Sequence, residues 1–327
     1  MSSSRFIIVT AEPRLVRLFL CLILFPILFL SSASAFDRFT AHGGPVRDLA
    51  LSPDGQNFVT ASFDYSAVLW STNDIKEKLT LYGHEAALNT AKFSPDGRWL
   101  ATGGDDGLIM LWQTSELKQD DVEPIILRGH KGKIVHLAFS NESKQLASAS
   151  WDGSIGLWRL GNNPENVRAD SRFIRGHEGP VNAVQFSNDD DYLYSAGQDG
   201  QIRYWRLASD EYLRSVVRNG WGISVFAIDE TKDIVAFGSS DGVMTVKRLS
   251  DQTTLMRVGD ERVPVLSLYY NDDAGVLGFG NAKGRVLLAD TSNWSVIRDF
   301  HAANGPIWSL LLMPDRQSLL VAGLDDF

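Results

Sequence analysis

The side chains best equipped for chemistry in this chain are histidines. Six occur in 327 residues, and four of them are followed by an Asp and then a Trp at one spacing: 42/64/70, 84/106/112, 130/152/158 and 177/199/205. The sets are His42, Asp64 and Trp70; His84, Asp106 and Trp112; His130, Asp152 and Trp158; and His177, Asp199 and Trp205. Hydroxyls lie between the His and the Trp of each set: Thr60 or Ser62, Thr102, Ser148 or Ser150, and Ser195. Ser, His and Asp are the ingredients of an acyl-transfer triad, in which the ring takes the hydroxyl proton and the carboxylate orients the ring. Such a site occurs once and needs an oxyanion pocket beside the nucleophile. A constellation that recurs four times in register is instead expected to be structural, and no catalytic residue is assigned.

The remaining candidates are sparse. His136 lies within an apolar run and is expected to be a satisfied core histidine, and His301 stands 24 residues before Asp325. A reaction centre in the interior would have to draw on Asp48, Asn89, His136 and Asn182, which offer neither an evident nucleophile nor a metal cluster. The acidic groups Asp120-Asp121, Asp189-Asp190-Asp191 and Asp272-Asp273 show no loop of alternating ligands closed by a Glu, so they are read as solvated carboxylates and not as calcium sites. HExxH, GxxxxGK[ST] and CxxCH are all absent from the sequence. The single cysteine, Cys21, excludes an internal disulfide and a thiolate metal site. No metal and no cofactor is therefore assigned to this chain.

The elements that must position the four His sets are themselves repeats. Gly129 to Trp158 (GHKGKIVHLAFSNESKQLASASWDGSIGLW) is the clearest copy, with further copies at 41–70, 83–112 and 176–205. The Asp slot continues at Asp241, Lys283 and Asp325, so the steps from Asp64 are 42, 46, 47, 42, 42 and 42. A period of about 40–45 residues opened by Gly-His and closed by Asp-x5-Trp is the signature of a propeller blade. Within each copy an apolar run such as Val46 to Leu51 is followed by a turn and a second run. Ser52-Pro53-Asp54-Gly55 and Ser94-Pro95-Asp96-Gly97 are hairpin turns in which Pro fixes φ and Gly accepts positive φ. The fifth and sixth units, 219–248 and 259–290, keep Gly242 and Gly284, but Lys247 and Ala289 stand in the Trp slot. The seventh, 301–327, stops before its third strand, which suggests a fragment.

Residues 36–327 resemble the WD-repeat family on these motifs. The resemblance implies one all-β domain, a seven-bladed β-propeller whose last blade is incomplete at the C-terminus. It also implies a structural tetrad, in which His donates to the turn Asp and a strand hydroxyl links the His to the Trp indole. An N-terminal strand, here Phe36 to Thr40, would supply the outer strand of the last blade. The residue before each turn Asp (Phe63, Asp105, Trp151, Gln198, Ser240) would sit on the rim where partners dock. Phe63, Trp151 and Gln198 are thus the candidate partner-binding residues, and an aromatic there either anchors an interface or packs on the adjacent blade. The phrases AHGGPVRDLALSPDG, SFDYSAVLW and GPIWSLLLMPD are also similar to bacterial periplasmic WD-repeat proteins that carry a C-terminal c-type cytochrome domain. That likeness implies an alternative role in electron transfer, with haem c confined to an extension, since no CxxCH occurs here.

Residues 1–35 read as a signal peptide. Arg14 and Arg17 precede the apolar run Leu18 to Leu30, and Ala33-Ser34-Ala35 precedes Phe36. The run is too short for the ~20 residues of a membrane span, so cleavage after Ala35 and a periplasmic or secreted protein are expected, with no membrane attachment afterwards. The three arginines and one glutamate of that segment would take the net charge from −9 to −11 on removal. Such an acidic surface repels phosphate backbones, so nucleic acid is not an expected partner. The function expected is that of a non-enzymatic interaction scaffold for a protein partner whose identity the sequence does not name.

Overall fold

The computed structural model describes residues 6–10, 35–39, 41–118, 122–161, 171–259 and 262–324. Its regular structure is nearly all strand, with one 3₁₀ turn at Thr114–Glu116. Blade one shows the plan: Val46–Leu51, Asn57–Ser62, Ala67–Ser71 and Glu77–Leu81 pair antiparallel in sequence order. The inner strands of the following units are Leu88–Phe93, Ile134–Phe139, Val181–Phe186, Ile223–Asp229, Val265–Asn271 and Ile307–Leu312. Each inner strand touches the next, and the last touches the first. The two middle strands of a blade are nearly continuous apolar or small residues because both faces are covered by neighbouring blades. Leu100, Leu146, Leu193 and Leu277, all at 0% exposure, occupy one position of the second strand and form the repeated core.

Six units, and not seven, build a complete four-stranded blade from their own residues. The seventh unit contributes a two-strand sheet, Ile307–Leu312 with Leu319–Gly323. The position expected for its third strand, after Gly323, is taken by Phe6–Thr10, which pairs with Leu319–Gly323. Ala35–Phe39 pairs outside that, giving the order Ala35–Phe39, Phe6–Thr10, Leu319–Gly323, Ile307–Leu312. Asp325, the seventh residue of the Asp slot, and Cys21 lie outside the described residues.

Every inner strand carries the same irregularity. Its register against the second strand shifts after the first residue, at Val46/Asp48, Leu88/Thr90, Ile134/His136, Val181/Ala183, Ile223/Val225, Val265/Ser267 and Ile307/Ser309. A bulge leaves one residue out of the ladder and re-aims its side chain. The bulged residues Arg47, Asn89, Val135, Asn182, Ser224, Leu266 and Trp308 form one ring, and all seven border the central cavity. A repeated backbone feature thus selects what lines the channel.

Asp48 is the joint of this ring. Its Oδ1 accepts from the Leu49 N–H (2.9 Å) and the Ser309 hydroxyl (3.2 Å) of the seventh unit. Its Oδ2 accepts from Thr90 Oγ1 (3.0 Å), the Ala91 N–H (3.1 Å) and Lys92 Nζ (2.7 Å) of blade two. Burial opposes ionisation of this carboxyl, but Lys92 and the hydrogen bonds outweigh it and hold its pKa below the usual range. Removing one partner of a buried ion pair leaves the other uncompensated. Asp48→Ala is therefore expected to lower stability by about 3 kcal/mol in urea unfolding, whereas an unchanged midpoint would show that the joint carries no load.

Candidate functional site

The four His sets each assemble as a closed network. His42 Nδ1 lies 2.9 Å from Asp64, and its Nε2 lies 2.7 Å from Thr60 Oγ1, which also accepts the Trp70 indole N–H at 3.0 Å. In blade two the distances are 2.8 Å to Asp106, 2.9 Å to Thr102 and 3.1 Å from Trp112 to Thr102. In blade three His130 meets Asp152 at 3.1 Å and Ser148 at 2.7 Å, and Trp158 donates to Ser148 at 2.9 Å. In blade four His177 meets Asp199 at 3.0 Å and Ser195 at 2.7 Å, and Trp205 donates to Ser195 at 2.7 Å. One proton arrangement satisfies all members: the indole donates to the hydroxyl, the hydroxyl donates to Nε2, and Nδ1–H donates to the carboxylate. Of the alternative hydroxyls, Thr60 and Ser148 join the network, while Ser62 and Ser150 donate instead to the carbonyls of Gly44 and Gly132.

The surroundings of these groups explain their protonation. Burial favours the neutral ring at His130 and lowers its pKa, against the pull of Asp152. At Asp152 burial works the other way, yet hydrogen bonds from Ser154 and the Lys131 N–H hold the carboxyl down at about 2. Asp199 is likewise held at about 2, where the donation from His177 overcomes burial, and Arg203 adds an ion pair at 3.1 Å. Asp64 and Asp106 are held below the usual carboxylate range by the same contest of burial against His and backbone donors. The Gly before His177 has a steric cause, because a Cβ on Gly176 would fall 2.7 Å from the Trp205 ring. With its hydroxyl already bonded on both sides and buried at 0% exposure, none of these sets presents a nucleophile to a substrate.

The degenerate units keep only part of this. Ser239 donates to Asp241 at 2.5 Å in blade five. In blade six Asn281 receives the N–H groups of Lys283 (2.9 Å) and Arg285 (3.0 Å), so it takes over the turn role that Lys283 vacates. Trp221, where the Gly-His should be, is 60% exposed.

The loop face around the channel mouth gathers the other candidates. Trp151 is 49% exposed, with Lys133 Nζ 3.5 Å above its ring, and Gln198 stands beside it on the cavity wall. Phe63 is partly buried and packs on Trp308 of the seventh unit, 5.4 Å between centroids. It is thus committed to a neighbouring unit, while Trp151 is free to meet solvent. His136 is not a core histidine: it borders the central cavity, where its Nδ1 accepts the Val184 N–H at 3.4 Å. Burial, reinforced by Lys92, lowers its pKa to about 4. Asn182 donates to the Ile223 carbonyl (2.8 Å), and Asn89 to Asp105 (2.7 Å) and the Ile134 carbonyl (2.9 Å), so the amides tie blades together. Asp189 caps its own turn through Ser187, Asp190 receives the N–H groups of Asn141 and Glu142, and Asp272 pairs with Lys232 at 3.0 Å. Asp120 and Asp121 lie outside the described residues, among which no group of three His, Cys, Asp or Glu side chains is placed to hold a metal. Sequence reasoning missed Arg47 and Trp308, although a charge and an indole at the second position of apolar runs were the available signal.

Comparison with protein families agrees with this geometry. The model of the WD domain, G-beta repeat, matches residues 34–71, 75–113, 123–159 and 170–206, which are the four units carrying the His network. The anaphase-promoting complex subunit 4 WD40 domain matches residues 226–313, which span the degenerate units. The chain belongs to the WD-repeat propeller family. No curated protein matches the chain. Propellers of this family commonly mediate protein interactions.

Two outcomes follow for blade three of this WD-repeat chain. Ser148→Ala would orphan the His130 ring and the Trp158 indole together, and is expected to cost about 2 kcal/mol in urea unfolding; a cost near zero would contradict the network. The pH dependence has a definite sign. A ring whose folded pKa is depressed contributes stability above its unfolded value near 6.5, which is lost as pH falls towards the folded value. Carboxyls held near 2 contribute stability above their unfolded value of about 3.8, lost as pH falls further towards 2. Unfolding midpoints should therefore decline in two stages below pH 6.5, and Asp152→Asn should shallow the second.

Proposed function

We propose that this chain is a non-enzymatic scaffold, exported through its N-terminal segment, whose loop face around the channel mouth holds a protein partner. The observation that carries the reading is Trp151, half exposed beside Lys133 at the mouth of a ring that is otherwise tied down blade to blade. A large amphipathic ring on a rigid support buries much area at little entropic cost, which is what interface anchors require. Tyr65 (51%), Tyr82 (72%) and Trp221 (60%) are further exposed aromatics in the loops preceding or following the blade turns. The occupied hydroxyls of the four His networks support the absence of hydrolase chemistry.

The architecture that fits this reading is a seven-bladed ring, with the seventh unit completed by strands from elsewhere in the chain. Export bears on that completion. Cleavage after Ala35 would remove Phe6–Thr10 and leave a strand position vacant between Leu319–Gly323 and Ala35–Phe39. An open edge of that kind pairs readily with another strand, so a longer chain or a partner would be expected to fill it. The intact mass of the exported protein decides between these forms. A mass starting at Phe36 is expected, and a species retaining residues 1–35 would contradict export by cleavage.

Docking is tested by Trp151→Ala. The variant should melt with the wild type, because its ring is outside the core, and should lose at least tenfold in affinity for a partner captured by the wild type, as truncation of a central aromatic anchor does. Equal affinity would remove this face from the reading.

A further inference from the structure

The central channel holds a cavity of about 260 Å³ with two unlike walls. On one side lie Arg47, Lys92 and His136, with Asn89 and Asn182; on the other the uncharged side chains of Val225, Phe226, Leu266 and Leu268 stand among the hydroxyls of Ser224, Ser267 and Ser309, with Trp308 completing the ring. The charges on the first wall are not equivalent. Lys92 is consumed by Asp48 at 2.7 Å, and Asp48 has all its lone pairs engaged by blades one, two and seven. His136 is kept neutral near pH 7 by its surroundings. Arg47 is different. Its guanidinium stacks 5.1 Å from the Trp308 ring, and among the described residues it donates no hydrogen bond and forms no ion pair. Burial lowers its pKa, and the carboxylates Asp48 and Asp105 act on it only at a distance. Asp105 is exposed and accepts the Asn89 amide outside the cavity wall.

A partly desolvated guanidinium with free fork donors is a costly group to leave unmatched, and its geometry fits a carboxylate through two parallel N–H···O bonds. The backbone has placed it there, since Arg47 is the bulged residue of its strand. The side chains of Val225, Phe226, Leu266 and Leu268 would accept a small hydrocarbon or aromatic group, while the polar groups elsewhere on the lining fix its orientation. The volume falls just under the ~300–1,000 Å³ of sites for drug-sized molecules, so the occupant is small.

From these observations we infer that the channel binds a small monocarboxylate bearing an apolar group, with Arg47 receiving the carboxylate and Phe226, Leu266 and Leu268 receiving the apolar end. The carboxylate has two sources, a free organic acid or the C-terminus of a peptide. Trp151 and Gln198 border the mouth of the same cavity, so the two readings are separated by their variants: Arg47→Gln reports on the carboxylate site and Trp151→Ala on partner docking.

The probe is 3-phenylpropionate, with 3-phenylpropanamide as its uncharged counterpart, titrated calorimetrically into the full chain. The acid is expected to bind with a dissociation constant of about 1 mM or tighter, and the amide at least tenfold more weakly. Arg47→Gln should weaken the acid at least tenfold. Should that variant melt lower than the wild type, Leu266→Glu supplies an independent reading, because it places a competing carboxylate across the cavity and should abolish binding. A blocked tetrapeptide, acetyl-Gly-Gly-Gly-Phe with a free C-terminus, separates the sources: binding comparable to the acid assigns a peptide terminus, and weaker binding assigns a free acid. No binding of the acid, equal binding of acid and amide, or wild-type binding by Leu266→Glu would each overturn the inference.

Discussion

Four of the seven units hang on an imidazole ring held between a carboxylate and a hydroxyl. The His comes from the loop that enters a blade, the Asp from the turn between its second and third strands, the hydroxyl from the second strand and the Trp from the third. The second and third strands already share a ladder, but the entering loop and the turn that carry the His and the Asp do not, so the network ties those loops to the paired strands at the top of the blade. Register matters because a slip of one residue would turn the buried face of the second strand to the wrong neighbour. The network is also intolerant. With one donor or acceptor missing, the low-dielectric interior that strengthens it would instead penalise the orphaned group.

A second constraint is the closure of the ring. The blades are alike, but Asp48 occurs in one of them, and it joins the seventh unit to blades one and two. A ring made of repeats has nearest-neighbour contacts everywhere and nothing in the repeat itself to mark where it shuts. A carboxylate saturated by donors from three units marks that position. The same strand bulge that turns Arg47 into the channel lets Asp48 reach both sides, so the joint and the cavity have one structural origin.

The blades and their networks were legible because the His, Asp and Trp of units one to four recur at fixed spacing, and the backbone needs each of them in place. Choosing Thr60 over Ser62 required three dimensions: both hydroxyls point to the same face of their strand, and only one lies beneath the indole. The blade count depended on the seventh unit, where a strand from residues 6–10 stands in the sheet, a pairing between chain segments over 300 positions apart that no periodicity encodes. His136 was misread because an apolar run was equated with a core strand, whereas inner strands alternate between core and channel. Among the rim residues, Phe63 and Trp151 hold the same slot, yet one packs on Trp308 and the other faces solvent. That difference comes from the neighbouring unit and is absent from the residue's own repeat.

The central claim is that four indoles are buried in structural networks while others are offered to a partner. Hydrogen exchange of the indole N–H groups tests it directly. The account predicts that Trp70, Trp112, Trp158 and Trp205 exchange only with unfolding of their blades, and that Trp151 and Trp221 exchange at the rate of free indole. Fast exchange at the four network indoles in the folded protein would contradict it.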